Sequence, residues 1–292
     1  IRVAPNNSLH DLPLWVAESE GLFATEGLDV EFIQEDRNIE RPTQGENPTN
    51  VPSVILQGQK ETLIEKGHAD VYNACEWGCI IRANASDSKA KIMNRRPVVF
   101  AHTLLVHNDS PVQLPEDLAE KSIGVTWPSG NYFMAYRMLE GYLPTNQIKT
   151  VDMGGRHKTF EAFMDRKVDA IITFEPFTSL AEKLGARAIV EGFDQGQEMG
   201  SLDLDVHTRR KWISAVSKAV EKINTNPSRY YAKVIRSEIP DQIKSTEVNW
   251  KRVRFVMPTP YTADQFELAY AWMKQHDMIQ AGAIYKDLAF TD

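Results

Sequence analysis

The sequence predicts an α/β protein of two lobes, each a mostly parallel sheet flanked by helices. Near the amino terminus, an apolar strand at 1–4, an apolar helical face from Leu12 and an alternating strand at 28–33 form a β-loop-α-β unit, which is typical of a parallel sheet. A similar set of strands and helices fills 122–174. A chain of 292 residues with 42% hydrophobic content can bury two such units, so two lobes are predicted.

Charge and hydropathy exclude two classes of partner. The formal net charge is −7 and the basic residues are scattered, so the positive surface that binds a phosphate backbone is missing and no nucleic acid is expected. The longest apolar stretches hold about ten residues or fewer, against the roughly 20 that cross a bilayer, so no transmembrane segment is expected. The chain begins with Ile1, for which a processed or trimmed amino terminus is expected, although no signal peptide is visible.

The cysteines and histidines predict no bound metal and no cofactor. Cys75 and Cys79 are the only cysteines, and their spacing fits neither a zinc site nor a disulfide framework. No His-Glu-x-x-His pattern occurs. Cys75 is interpreted as a packed thiol, with a nucleophile as the alternative.

Several segments together resemble one family of ligand-binding proteins. Residues 12–32, LPLWVAESEGLFATEGLDVEF, resemble the opening of substrate-binding proteins for sulfonates, nitrate and taurine, and of thiamine-pyrimidine proteins. The ordered series covers most of 1–190 and is far more specific than any one piece. The further matching segments are GHADV at 67–71, LPEDL at 114–118, IGV at 123–125 and KVDAI at 167–171, which leads to Glu175-Pro176.

The resemblance implies a type II periplasmic-binding fold with a cleft between its lobes. We expect 1–104 to form the first part of lobe I, 105–200 to form lobe II, and 201–292 to complete lobe I with carboxyl-terminal helices. The match is weaker after Gly192, and 193–207 is a poor version of the expected return strand. The position of the second crossover therefore stays open.

Ligands of open α/β sheets bind at the carboxyl ends of strands, and four loops of this chain lie there. The first loop carries Asn7, His10 and Asp11. Polar contact with a ligand by at least one of them is predicted. Helix capping by Ser8 or Asp11 is the alternative.

The second loop holds Asn73, Glu76 and Trp77. An amide, an acid and an indole can hold a polar ring by hydrogen bonding and stacking. For Trp77, a place in the core is an equal alternative.

The third loop contains Trp127, Ser129, Gly130 and Asn131 before a predicted helix. The Ser129 hydroxyl and the amides of Gly130 and Asn131 can bind an anionic group. The loop is not a P-loop, because no Gly-Lys-Ser/Thr follows.

The fourth set comprises Arg156 and Glu175. Arg156 can clamp a carboxylate or sulfonate, or it can be a solvated cation near a helix start.

Together the four loops combine an anion site with the acids Asp11, Glu76 and Glu175. This mixture predicts a small polar ligand that carries both an acceptor and amine-like donors: a zwitterion, an amino-heterocycle or a sulfonate. Plain nitrate or sulfate would leave the carboxylates unpaired and repelled.

The leading hypothesis is the solute-binding component of an ABC-type importer, whose lobes hinge shut on a ligand and present the closed shape to a membrane permease. Such a receptor would be periplasmic or extracytoplasmic. The alternative is a cytoplasmic enzyme on the same scaffold, pyrimidine-synthase-like or desulfinase-like, using His10, Cys75 or Glu76. Both readings require 73–77 and 127–131 to approach each other from opposite lobes.

Overall fold

The computed structural model describes residues 1–6, 9–33, 63–238, 241–279 and 282–292. Asn7 and Ser8 lie outside these ranges. The sequence also predicts a surface excursion at 35–52 and a helix over 54–64; the excursion and most of this helix lie outside the described residues. The described residues form two sheets flanked by helices, which confirms the predicted fold class.

The described strands and helices alternate through most of the chain. The strands are β1 Arg2–Ala4, β2 Glu31–Phe32, β3 Val71–Ala74, β4 Ala90–Arg95, β5 Val98–His107, β6 Ser122–Val125, β7 Lys149–Asp152, β8 Ala170–Thr173, β9 Ala186–Asp194, β10 Gln197–Ser201 and β11 Val253–Phe255. The α-helices are α1 Leu12–Ser19, α2 Leu22–Thr25, α3 Glu76–Ala83, α4 Gly130–Leu139, α5 Arg156–Met164, α6 Phe177–Lys183, α7 Val206–Thr225, α8 Pro227–Glu238, α9 Ala263–Gln275 and α10 Tyr285–Leu288.

Each sheet combines a parallel part with antiparallel strands. The first sheet has the order β2-β1-β3-β10-β4, in which β1 is parallel to β2 and β3 while β10 is antiparallel to both neighbours. The second has the order β11-β5-β8-β6-β7, with β9 also beside β5. Here β6 is parallel to β7 and β8, and β5 is antiparallel to its partners. The antiparallel pairs arise where the chain runs back between the sheets.

Two of the chain's changes of sheet occur over very short connections. It leaves the first sheet between β4 and β5 and returns between β9 and β10, so the second crossover falls at 195–196. β11 then joins the second sheet, so the last third is not purely helical. The lobe boundaries expected from the sequence stay a prediction.

Alternate residues of the first-sheet strands face two different layers, as the period of a strand requires. Val3, Val71 and Met93 pack with α1 and α7, where Phe23 stacks on Trp212 at 4.7 Å between ring centroids. Their chain neighbours face α3, α9 and α10 instead. In the described part of the chain, no helix is both long enough and apolar enough to span a bilayer.

The two lobes share one apolar core on the side of α3. Trp77 of α3 stacks on Phe133 of α4 at 5.2 Å and lies tilted against Trp272 of α9 at 5.9 Å. Because α4 packs on the second sheet and α9 lies over the first, these rings join the lobes.

The tight second crossover can be tested at Gly196. A Cβ added there would lie 2.0 Å from the Ala74 carbonyl oxygen, and the next residue of the chain already pairs with Ala74. We expect Gly196→Ala to lower the free energy of unfolding by about 1–3 kcal/mol, measured by urea titration. Gly141→Ala is the matched control, because no described atom lies within 4 Å of its added Cβ. Equal stability of both variants would contradict this geometry.

Candidate functional site

The loops after β3 and β6 meet at Gly130, the first residue of α4. A Cβ built on Gly130 would lie 3.6 Å from the Cβ of Cys75 and 3.3 Å from Cε1 of His102. His102 lies on β5, so three elements converge on one point. The predicted approach of 73–77 to 127–131 is therefore present. We call the space around Cys75, Glu76, His102 and Gly130 the interlobe cleft.

The amino terminus of α4 opens toward the cleft without a side-chain cap. Ser129 is the N-cap residue, but its hydroxyl donates back to the Thr126 carbonyl oxygen, and its own carbonyl accepts the first helical bond, from Phe133 N at 3.1 Å. The amides of the first turn have no acceptor within their helix, and they carry the positive end of its dipole. The buried Asn131 side chain donates to the Ile172 carbonyl at 2.9 Å, so one of its two N–H donors is engaged within the protein.

Two threonines lie next to the amides at the amino terminus of α4. Ile123 pairs with Ala170 in parallel register, and the same register, three residues on, places Thr126 beside Thr173 where β6 and β8 end. Both hydroxyls are buried and have no hydrogen-bond partner among the described residues. Such groups indicate a bound ligand or an ordered water. Neither hydroxyl was predicted to contact a ligand, although Thr126 follows β6, Thr173 is the last residue of β8, and each precedes a loop with a proline.

Glu76 faces the cleft from the first turn of α3. The Gln197 side-chain amide donates to Glu76 Oε1 at 3.4 Å, while Gln197 Oε1 is buried and has no partner in the described part of the chain. Burial raises the pKa of Glu76 to about 7; a hydrogen bond with Tyr261 opposes the shift and the charge of Asp194 adds to it. The acid is thus poised between its neutral and charged forms near neutral pH.

A second buried acid, Asp194, is held in its charged form. Its Oδ2 lies 3.7 Å from His102 Nε2 and 3.5 Å from an Arg96 guanidinium nitrogen. Burial alone would raise the pKa of Asp194, but the neighbouring His102 side chain and the charge of Arg96 hold it below the usual value. Arg96 and Asp194 flank the two crossovers. No sequence pattern indicated this group, because its members meet only through the paired strands.

The first loop lies on the edge of the same region. His10 packs between Phe100 at 4.6 Å and Phe174 at 4.7 Å. Asp11 is fully buried and accepts from the Asn73 side-chain amide at 2.8 Å, so these two predicted residues bind each other and join the loops after β1 and β3. Asn7 lies outside the described residues.

The remaining predicted residues lie in different surroundings. Trp127 is buried, with Tyr132 edge-on at 6.5 Å, and Trp77 is the core ring described above. Arg156 is half-buried at the start of α5. Their roles in binding stay predictions.

Glu175 is engaged within the protein. Its buried carboxylate accepts from the Ser179 hydroxyl at 2.9 Å and from Arg252 at 3.1 Å. Burial raises the pKa of Glu175, although these bonds oppose the shift. Within the ranges described, no group of three His, Cys, Asp or Glu side chains could hold a metal ion.

The two sheets and the cleft between them define a periplasmic binding protein fold. Residues 90–229 match the family model described as NMT1/THI5 like. The alkanesulfonate-binding protein SsuA from Xanthomonas axonopodis pv. citri, bound to MOPS, superposes with a TM-score of 0.69 at 14% identity, over 96% of this chain and 94% of that one. The desulfurization enzyme DSZB superposes with a TM-score of 0.67 at 12% identity, over 99% and 96%.

A sequence relative agrees with this assignment. YtlA of Bacillus subtilis (strain 168), provisionally described as a binding protein, is 23% identical over 278 residues, which cover 87% of this chain and 76% of the relative. These matches support the family predicted from the sequence, and the match to the family model covers residues 90–229.

The raised pKa of Glu76 predicts a pH-dependent stability. The pKa of Glu76 is near 7 in the folded state, against an ordinary value of 4.5. Between about pH 4.5 and 7 the unfolded state therefore ionises more readily than the folded state, and the free energy of unfolding falls as the pH rises. This loss of stability is complete above pH 7. Glu76→Gln should therefore become more stable than wild type over that interval, by up to about 3 kcal/mol. Urea unfolding from pH 4.5 to 8.5 measures this, with exposed Glu116→Gln as the control. A pH-independent difference would contradict the shift.

Proposed function

We propose that this chain is the solute-binding component of an ABC-type importer and that its lobes close on one small polar ligand. The observation that carries the proposal is the convergence at Gly130. The start of α4, the loop after β3 and His102 of β5 meet within van der Waals distance of one point. A ligand held there contacts both lobes, so its binding favours their closure.

The second-lobe side of the cleft suits an anionic group. The amides of Gly130 and Asn131 and the hydroxyls of Thr126 and Thr173 are donors at the carboxyl ends of parallel strands. Hydrogen bonds to a charged group contribute about 1.5–3 kcal/mol each. A sulfonate or carboxylate has enough oxygens to accept several of these bonds at once.

The first-lobe side suits a hydrogen-bond donor. Glu76 and the buried Gln197 Oε1 are acceptors, and the rings around His10 provide an aromatic wall. An amine or an amino-heterocycle would satisfy these acceptors. The ligand class that fits both sides is therefore a zwitterion, such as an aminosulfonate, or an amino-heterocycle with an acidic substituent.

Transport rather than chemistry is favoured by the relatives that are described as binding proteins. A permease partner and an extracytoplasmic location follow from this proposal. The enzyme alternative rests on the shared fold of DSZB and would use His10, Cys75 or Glu76.

A ligand panel tests the proposal. Taurine, MOPS, ethanesulfonate, an aminopyrimidine and sulfate would be titrated by calorimetry, with a thermal shift as the second readout. We expect a compound with both an anionic group and an amine to bind, and sulfate not to bind. Chromatography of the recovered ligand separates the two functions, since a receptor returns it unchanged and an enzyme converts it. Absence of binding across the panel would refute the proposed ligand class.

The two threonines provide a sharper test of the anion site. Thr126→Val and Thr173→Val keep the side-chain volume nearly constant and remove a donor, so each is expected to weaken binding of the panel ligand about tenfold or more. Stability should change little, because neither hydroxyl has a described protein partner to lose. Thr225→Val, on the exposed face of α7, is the matched control. Unchanged affinity in both cleft variants would place the anion elsewhere.

A further inference from the structure

The far end of α4 carries a second contact between the lobes. Glu140 follows the last residue of α4, and its Oε2 accepts from Trp272 Nε1 at 2.7 Å and from His276 Nε2 at 2.9 Å. Trp272 belongs to α9 and His276 is its C-cap residue. Because α4 packs on the second sheet and α9 over the first, one carboxylate oxygen joins the two lobes.

We infer that Glu140, Trp272 and His276 form an interlobe latch that sets ligand affinity without contacting the ligand. The inference rests on the proposed binding function. Glu140 is thereby a positioning residue: it stabilises the closed arrangement of the lobes, whereas the cleft residues contact the solute.

The position of the latch separates it from the cleft. α4 has ten residues, and a helix rises 1.5 Å per residue, so Glu140 lies about 15 Å from Gly130 along the helix axis. A small solute bound at Gly130 cannot reach it. Any effect of Glu140 on binding must therefore be transmitted by the relative position of the lobes.

The surroundings make the carboxylate a specific acceptor. Trp272 and His276 are buried, while the Glu140 side chain is 28% exposed, so the two donors are held in fixed positions and water still reaches the acceptor. Arg137 donates to Glu140 Oε1 at 3.3 Å within the same lobe and lies 5.1 Å from the Trp272 ring centroid. The Arg137 guanidinium thus favours the charged form of the Glu140 carboxylate and lies over the Trp272 ring.

The latch can open because it borders solvent. A groove of about 480 Å³ runs beside it, lined from the second lobe by Arg137, Glu140 and Leu143 and from the first by Leu268, Trp272 and His276. When the lobes separate, water can replace the bonds to Glu140. The latch therefore stabilises the closed state reversibly. The apparent affinity for the ligand is proportional to the fraction of molecules in the closed state.

Ligand kinetics provide one arm of the test. Taurine and MOPS serve as probes for wild type, Glu140→Ala and Trp272→Phe, the last of which keeps an aromatic ring and removes the indole donor. Loss of the latch should raise the dissociation rate about tenfold and leave the association rate nearly unchanged. Glu140→Gln, which keeps an acceptor oxygen without the charge, should show a smaller effect. Glu120→Ala is the control, because Glu120 pairs with Lys149 inside one lobe.

Amide hydrogen exchange of the ligand-free protein provides the other arm. Glu140→Ala should accelerate exchange at the start of α4 and in α3, which the Trp77–Phe133 contact joins across the lobes, while exchange in α7, on the other layer of the first sheet, stays unchanged. Uniform acceleration would indicate general destabilisation and overturn the latch. Exchange equal to wild type would also overturn it.

The two arms separate this inference from the proposed function. If neither probe binds wild type, the proposed ligand class is refuted, and the exchange pattern alone decides on the latch. If the probes bind and Glu140→Ala changes neither dissociation nor exchange, the latch is refuted and the binding function stands.

Discussion

The interlobe cleft depends on the close approach of the first residue of α4, Gly130, to the opposite lobe. This approach is possible because glycine has no side chain. Gly130 brings the first turn of α4 so near Cys75 and His102 that a single methyl group would already be in tight contact. At this separation, backbone amides from one lobe and polar side chains from the other can contact the same small molecule.

The two acids beside this contact are held in different states by their neighbours. Arg96 and His102 keep Asp194 charged, whereas Glu76 is shifted toward its neutral form by burial and by the charge of Asp194. The charged acid contributes to the crossovers between the sheets, where its partners lie. The other remains available as a donor or an acceptor. The two carboxyl groups thus differ because an Arg96 guanidinium nitrogen lies 3.5 Å from Asp194, whereas burial dominates at Glu76.

The sequence predicted those features that local patterns encode and missed those that depend on distant pairing. Alternating apolar residues were enough to predict the βαβ units, and the family resemblance implied the cleft in which 73–77 meets 127–131. β10 was not recognisable, because Gln197 and Glu198 are polar and become buried only through neighbours such as Asn94, which donates to Glu198 at 2.8 Å. Glu175 stays a predicted ligand contact, and its ion pair with Arg252, 77 residues away in the chain, is one that no local pattern indicates.

The position of α4 explains how recognition and closure can be separate properties of one element. Its first turn provides donors to the cleft, and Glu140 beyond its last turn accepts hydrogen bonds from α9. A short helix is rigid on this scale, so it cannot engage a solute at one end and leave the lobe contact at the other end unaffected. Between the two ends, Phe133 of α4 packs on Trp77, and Trp77 on Trp272, which gives a continuous row of rings. The proposed solute site and the contact at Glu140 are thus joined by packed side chains, and substitutions at either end are expected to change the same equilibrium between the lobes.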